Sequence, residues 1–305
     1  MRDLEVLIAV AEQGHIGRAA SQRALTQPAV TKAIQRLEAE AGHPLFVRTP
    51  KGVVLTVEGD ALLRRAREVR LALEQGRREI NDLAAGHRGE VRFGLDPNLV
   101  TFFALEVCPH LPTGESAARI SATTDSNQTN ADALGRGELD FVFGAYPTSL
   151  QKGLAFETLV EDRIVVIARS DHPARMLPRP EARDLLAYSW AMADAGAFSR
   201  LRLEHTFSQH GLAAPKIGFE SNSLPLILAT VAGTDLLGYQ PRYVLLDQAR
   251  DGSVAELPTT GVDSPRIIGL LTRDGGYLPP AAATVCDVIR LRATARLVPV
   301  RDQGS

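Results

Sequence analysis

The chain has 305 residues, 45% hydrophobic and 23% charged, with 34 Lys+Arg against 36 Asp+Glu for a net charge of −2. That balance belongs to a globular chain with a sizeable core and two or three compact units, and it excludes a collagen-like, disulfide-scaffold or low-complexity protein. No run of 18 apolar residues is present to span a bilayer and the N-terminus shows no export pattern, so no membrane partner and a cytoplasmic location are expected.

Charge is unevenly distributed. Residues 1–89 hold 14 Lys+Arg and 11 Asp+Glu, a net of +3, which leaves −5 for the remainder. A basic head on an acidic body suits a chain whose polyanion contact is confined to one end.

Leu4, Leu7, Ile8 and Ala11 recur at helical spacing and predict a first amphipathic helix. A second is expected from about residue 17 to 25, with the Ala19-Ala20 pair small enough for close packing. A turn from Ala24 to Thr26 leads into a third. Thr26 can cap it by accepting from a free amide, and Pro28 falls in the first turn, where a missing N–H costs nothing. Val30, Ala33, Ile34, Leu37 and Ala41 form one apolar stripe. The opposite face presents Gln27, Thr31, Lys32 and Gln35, whose amide, hydroxyl and ammonium groups suit base edges and phosphates in a major groove. This pattern is a helix-turn-helix, and by geometry its last helix is the reader. Residues 44–56 then predict two short strands around a Pro50-Lys51-Gly52 turn, a wing with Arg48 and Lys51 placed for phosphates.

From residue 57 to about 85 the chain predicts one long helix. Leu62, Ala66, Val69, Leu73, Gly76, Ile80 and Leu83 lie 4, 3, 4, 3, 4 and 3 residues apart, a heptad seam. So narrow a stripe needs a partner helix, and a second copy of the chain is the simplest one. Gly76 is the seam's weak point and suggests a close backbone approach. A break is expected at Gly86.

The rest alternates strand and helix, as an α/β body does. Strands are expected at 90–95, 118–123 and 139–144, with helices at 98–111 and 127–136. A second unit opens near 164–168 and passes 188–192. It continues through a helix at 199–209, a strand at 216–220 and a helix at 224–234. The chain returns through 266–272 to a closing helix at 280–292, with crossings near 162–165 and 263–267. Cys108 and Cys286 lie in apolar contexts without metal-ligand spacing and are expected to be buried thiols.

The residues Ala9-Val10-Ala11-Glu12, Ala19-Ala20, Thr26-Gln27-Pro28-Ala29-Val30-Thr31, Ile34, Leu37-Glu38 and Pro44-Leu45-Phe46, extended by Arg48, Gly52, Leu55-Thr56 and Gly59, resemble the LysR-type transcriptional regulators. The likeness spans nearly the whole chain and is most specific in the first 60 residues. The first helix is a residue or two shorter than is usual in that family. The fold implied is α/β with a winged helix-turn-helix head, a long linker helix and a two-lobed, periplasmic-binding-protein-like effector domain. The expected divisions are residues 1–57 for the DNA-binding head and 58–86 for the linker. One lobe takes 90–162 and 267–298, and the other takes 163–266. The resemblance further implies double-stranded DNA, self-association to a homodimer and commonly a homotetramer, a small-molecule effector, RNA polymerase as a further partner, and residence on the nucleoid.

In open α/β sheets ligands bind beyond the carboxyl ends of strands, where loops and helix starts converge. That places Asp96, Asn98, Thr124, Ser126 and Tyr146 on one side of a cleft, and Phe198, Ser221, Ser223, Tyr239 and Gln240 on the other. Hydroxyl and amide residues ahead of helices favour an anion, although most such residues are simply caps. Asp96 points the other way, since a carboxylate repels an anion and accepts from a hydroxyl. Two readings stay open for Arg200 and Arg202: cations that offset it, or solvated charges on an amphipathic helix. An enzyme is the competing class. No GxGxxG, GxxxxGK[ST], GxSxG or HExxH occurs, and the 7 histidines are scattered, so no catalytic residue, metal site or cofactor is expected.

Overall fold

The computed structural model describes residues 1–85, 89–114, 117–147, 149–248 and 252–297, without the side chains of 82–85 and 246–248. The expected helix break at Gly86, the domain end at residue 298 and the Leu83 side chain therefore lie outside the described residues. Residues 1–84 and 85–305 form two compact units.

In the first unit, α1 (Arg2–Gln13) closes at Gly14, whose left-handed φ of 58° lets its N–H reach the Val10 carbonyl. The second helix, α2 (Ile16–Gln22), is capped by His15 Nδ1, which accepts from the Gly17 amide at 3.1 Å. It stops three residues short of the expected end, because Ala24 takes a positive φ of 52° and turns the chain. The third, α3 (Gln27–Ala41), starts on Thr26 and ends on Gly42 at φ 70°. Leu7, Ile8, Val10, Ala19, Ala20, Val30, Ala33, Ile34 and Leu37 share one core. Ala41, expected on that stripe, is exposed, since it sits in the last turn just before the chain leaves the helix.

The wing is β1 (Phe46–Thr49) paired antiparallel with β2 (Gly52–Leu55). It is bolted to the helices by five hydrogen bonds. Glu38 of α3 accepts the amides of Leu45 and Phe46 at 2.9 and 3.4 Å. The Val53 amide donates to the Gly14 carbonyl at 2.9 Å. Thr56 donates its hydroxyl to the Pro44 carbonyl and accepts the Gly59 amide, which starts α4 (Val57–Ala85). A Cβ at Gly52 would sit 2.1 Å from the Gly14 carbonyl oxygen, and one at Gly59 would sit 2.0 Å from that of Leu45.

The long helix does not present its whole seam to solvent. Leu63 and Ala66 are buried in the head's own core, with Leu62 packed against it. Ala66 is thus an intrachain contact and not a free dimerisation position. Val69, Leu73 and Ile80 are exposed, and a Cβ at Gly76 would meet nothing within 4 Å, so no close approach exists there within one chain.

The second unit is built on a nine-stranded sheet among the described residues. Its strands and helices run in order: β3 (Glu90–Leu95), α5 (Val100–Phe102), β4 (Arg119–Thr124), α6 (Asn127–Gly135), β5 (Phe141–Ala145), β6 (Leu154–Arg169), α7 (Ala182–Leu185), β7 (Trp190–Met192), α8 (Phe198–Gln209), β8 (Ile217–Glu220), α9 (Leu224–Gly233), β9 (Leu237–Pro241), α10 (Arg242–Gln248), β10 (Val254–Glu256), β11 (Ser264–Arg273) and α11 (Pro280–Arg296). The sheet order is β4-β3-β5-β11-β6-β9-β7-β8, with β10 also on β6. β3, β4 and β5 are mutually parallel, as are β7, β8 and β9, while β6 and β11 run antiparallel between the two sets.

Two departures from the expected elements matter. β6 begins ten residues before residue 164, as one 16-residue strand that passes through both halves. The helix expected at 98–111 is a succession of 3₁₀, α, π and 3₁₀ turns. Pro109 has no N–H to continue an α ladder, which accounts for the irregular end. That irregularity leaves Cys108 exposed, contrary to expectation, whereas Cys286 is buried and its thiol pushed up to about 12 by desolvation.

Gly59→Ala is expected to destabilise the head by at least about 1–3 kcal/mol through overpacking. Urea unfolding of the variant against the parent, followed by circular dichroism, checks this.

Candidate DNA-reading surface and ligand cleft

On the head, Gln27, Pro28, Lys32 and Gln35 are exposed along one side of α3, opposite the buried Val30, Ala33, Ile34 and Leu37, and Thr31 is half-buried between them. Thr26 is exposed and occupied as the cap, its hydroxyl accepting from the Ala29 amide at 3.4 Å. The Gln27 amide nitrogen lies over Gly17, where a Cβ would come within 2.8 Å of it, so the start of α2 supports the first side chain of the reading face. Arg48 on β1 and Lys51 at the wing tip are exposed.

Cation availability separates these residues from their neighbours. Arg36 donates two bonds to Asp3, at 2.8 and 2.6 Å, and Arg23 is paired with Glu5. Lys32, Arg48 and Lys51 have no carboxylate within ion-pair distance among the described residues. They are the head's uncommitted cations on this surface.

In the second unit, the carboxyl ends of β3, β4 and β5 face those of β7, β8 and β9 across a cavity of about 730 Å³. Asp96, Asn98, Thr124, Ser126 and Tyr146 line one wall, and Phe198, Ser223 and Gln240 line the other. Two expected residues stand apart. Tyr239 belongs to β9 and not to a loop. Its ring is fully buried in the second lobe's core and its hydroxyl donates to the Val262 carbonyl at 2.8 Å. Ser221 is spent locally, its Oγ accepting the Ser223 amide at 3.1 Å, and lies outside the wall.

Local geometry explains how the lining residues are held. Asp96 Oδ1 accepts both the backbone and side-chain N–H of Asn98, at 2.9 and 3.0 Å. Ser126 caps α6 by accepting the Thr129 amide at 3.1 Å. Ala197 and Ser223 head α8 and α9 without a side-chain cap bond, leaving first-turn amides open at the second wall.

Sequence reasoning missed the residue at the floor of the cleft. Arg266, on β11, donates from Nη2 to Asp96 Oδ2 at 3.0 Å, and its Nε stands 4.0 Å from Asp162 Oδ2. Its guanidinium also sits 5.7 Å from the centroid of the Tyr243 ring. The three charged side chains are only 4–6% exposed. Burial alone disfavours the Arg266 charge, but Tyr243, Asp96 and Asp162 outweigh it. Burial lifts the Asp162 carboxyl above the usual carboxylate range, and Arg266 pulls it part of the way back. The one available signal was a lone arginine ahead of the apolar run Ile267-Ile268-Gly269-Leu270-Leu271. Neither Arg200 nor Arg202, considered as offsets for Asp96, lines the cavity. Arg200 pairs with Glu204 and Glu220, while Arg202 donates to Ser264 Oγ at 2.9 Å.

Both units match one family. Residues 1–60 match the bacterial regulatory helix-turn-helix protein, lysR family, and residues 84–293 match the LysR substrate binding domain. The chain belongs to the LysR family. Among its curated relatives, the transcriptional regulator GalR of Pseudomonas putida is 30% identical, over 95% of this chain and 73% of that protein. GbpR of Azospirillum brasilense is 26% identical, over 97% of this chain and 87% of that protein. Solved structures share the fold. ArgP from Mycobacterium tuberculosis has a TM-score of 0.68 at 18% identity, with 96% of this chain and 97% of that one covered. CbnR in complex with its target DNA has a TM-score of 0.58 at 21% identity, covering 96% and 99%. This LysR-type chain is accordingly a DNA-binding transcriptional regulator with a substrate-binding domain, and not an enzyme.

Arg266→Met leaves Asp96 and Asp162 buried without their cation and is expected to cost about 3–5 kcal/mol at neutral pH. A carboxyl whose folded pKa is raised binds more protons folded than unfolded, so its stability contribution falls as pH rises through that raised value. The variant therefore regains stability on acidification toward the ordinary carboxylate range. Thermal melts from pH 7 down to about pH 5 read this directly.

Proposed function

We propose that this regulator binds an inverted-repeat operator as a dimer of paired winged heads, and that a small organic metabolite in the cleft sets its activity. The observation that carries the DNA half is the uncommitted polar face of α3. Gln27, Lys32 and Gln35 stand free opposite a packed apolar stripe, with unpaired Arg48 and Lys51 on the wing beside it. Gln27, Pro28 and Thr31 contact base edges in this reading, and Lys32, Arg48 and Lys51 contact phosphates. Pairing of heads uses Leu62, Val69, Leu73 and Ile80, with Gly76 on the same seam. The exposure of Val69, Leu73 and Ile80 in the single chain supports it. A dimer of dimers uses the same heads and the same chemistry.

The cleft supports the sensing half, since a cavity of about 730 Å³ has the size of a small-molecule site. The family resemblance implies an anionic or aromatic metabolite, an expectation that the carboxylates lining the cleft revise toward an uncharged one. Ligand and operator are coupled only so far as the ligand binds two states of the assembly with different affinity.

Two substitutions separate readout from attachment. Gln27→Ala is expected to lower operator preference over scrambled DNA by about 1–3 kcal/mol. Lys51→Ala is expected to weaken both DNAs equally and to reduce the salt slope of binding by about 1. Fluorescence-anisotropy titrations across a salt series measure both, and an unchanged specificity ratio for Gln27→Ala would sink the assignment of α3 as reader. Ile80→Glu, at an exposed seam position, is expected to shift the protein toward monomer in sedimentation velocity while leaving its far-UV circular dichroism unchanged.

A further inference from the structure

The charges that line the cleft narrow the ligand, on the reading that the cleft is where the effector binds. Three carboxylates line it, Asp96, Asp125 and Asp194, against one guanidinium, Arg266. Its charge is offset by Asp96, to which it donates, and by Asp162 4.0 Å away, although its buried Nε keeps no hydrogen-bond partner. No lysine and no second arginine lines the wall among the described residues. On α8, Arg200 is paired with Glu204 and Glu220, while Arg202 stays outside the wall, donating to the neutral Ser264 hydroxyl and lying 5.8 Å from the centroid of the Phe198 ring. An anion placed here would meet the carboxylates of Asp125 and Asp194 with no unpaired cation on the wall itself to receive it.

The remaining polar lining is neutral and two-sided. Nine residues of the wall are Ser, Thr, Asn or Gln. Asn127 among them keeps a buried Oδ1 that accepts no hydrogen bond. Carboxylates and amide oxygens accept from hydroxyls, while amide N–H groups and the open first-turn amides of α8 and α9 donate to hydroxyl oxygens. Tyr146 and Phe198 supply one aromatic face from each wall. We infer that the effector is an uncharged polyhydroxylated molecule of the sugar or cyclic-polyol class, held by acceptors of the first wall and stacked on Tyr146 or Phe198. The carboxylates act as selectivity elements that turn away the acid form of the same skeleton. A site built to hydrogen-bond hydroxyls leaves buried acceptors unpaired when a hydroxyl is lost, so deoxy analogues are rejected too.

The test uses the full chain and matched probes: aldohexoses, aldopentoses and inositols, each sugar beside its own uronic acid, together with free amino acids. A neutral member is expected to raise the melting temperature by about 3 °C or more at millimolar concentration. Its uronic acid is expected to leave the melt unchanged. Removing negative charge with Asp125→Asn and Asp194→Asn, both exposed and outside the Arg266 cluster, should then strengthen binding of the uronic acid several-fold by calorimetry. Binding of an acid as tight as its neutral parent overturns the inference while leaving the cleft as a ligand site, and so does stabilisation by amino acids alone. A flat response to every probe also overturns it. The cleft reading itself falls only if a wider panel of organic acids and aromatics is equally silent in both melting and operator titrations.

Discussion

One antiparallel pairing, β6 against β11, carries both halves of the ligand-binding unit. The two strands match over ten pairs, from Ser264 opposite Ile164 to Arg273 opposite Leu154. One set of parallel strands joins through β5 on β11, and the other joins through β9 on β6. The two lobes are therefore extensions of one sheet, and the cleft is the place where their strand ends meet. Any side chain on the shared strands near that meeting point belongs to neither lobe alone. Arg266 is that side chain, and its bond to Asp96 ties the shared strand to the end of β3. A buried charge cluster of this kind is costly to assemble and costlier to break by removal of one member.

The head follows a different logic, in which backbone and polar side chains do the fixing. Glu38, Thr56, Gly52 and Gly59 are the residues through which wing, reading helix and long helix touch. Two of the contacts leave no room for a methyl group. These same positions carried much of the family resemblance, which now has a physical account: each is a place where one residue type satisfies the local geometry.

Legibility in the sequence tracked how local the cause was. The capping of α3 by Thr26, the stripe from Val30 to Leu37 and the two-strand wing depend on neighbours within a few residues, and the structure places them where the sequence puts them. The cleft was legible at strand ends, where Asp96, Asn98 and Ser126 form local turns and caps. Arg266 was not, because its partner is 170 residues away. Tyr239 misled for the reverse reason: the strand-end rule puts it among the loops, yet its neighbour Gly238 lies in a strand where a Cβ would crowd Ile167 and Val231. Ala66 shows a third kind of failure. Heptad spacing identifies a face that must be covered, but it is silent on whether the cover is another subunit or the chain's own head.

The burial of Leu63 and Ala66 has a mechanical corollary. Because the first turns of α4 are part of the head's core, helix and head move as one piece. A helix of 29 residues is a lever roughly 43 Å long. Tilting it by about 5° sweeps its far tip through about 4 Å, a useful fraction of the roughly 34 Å between successive faces of duplex DNA. Any tilt of α4 within this unit therefore carries the whole reading face, Gln27 included, along with it.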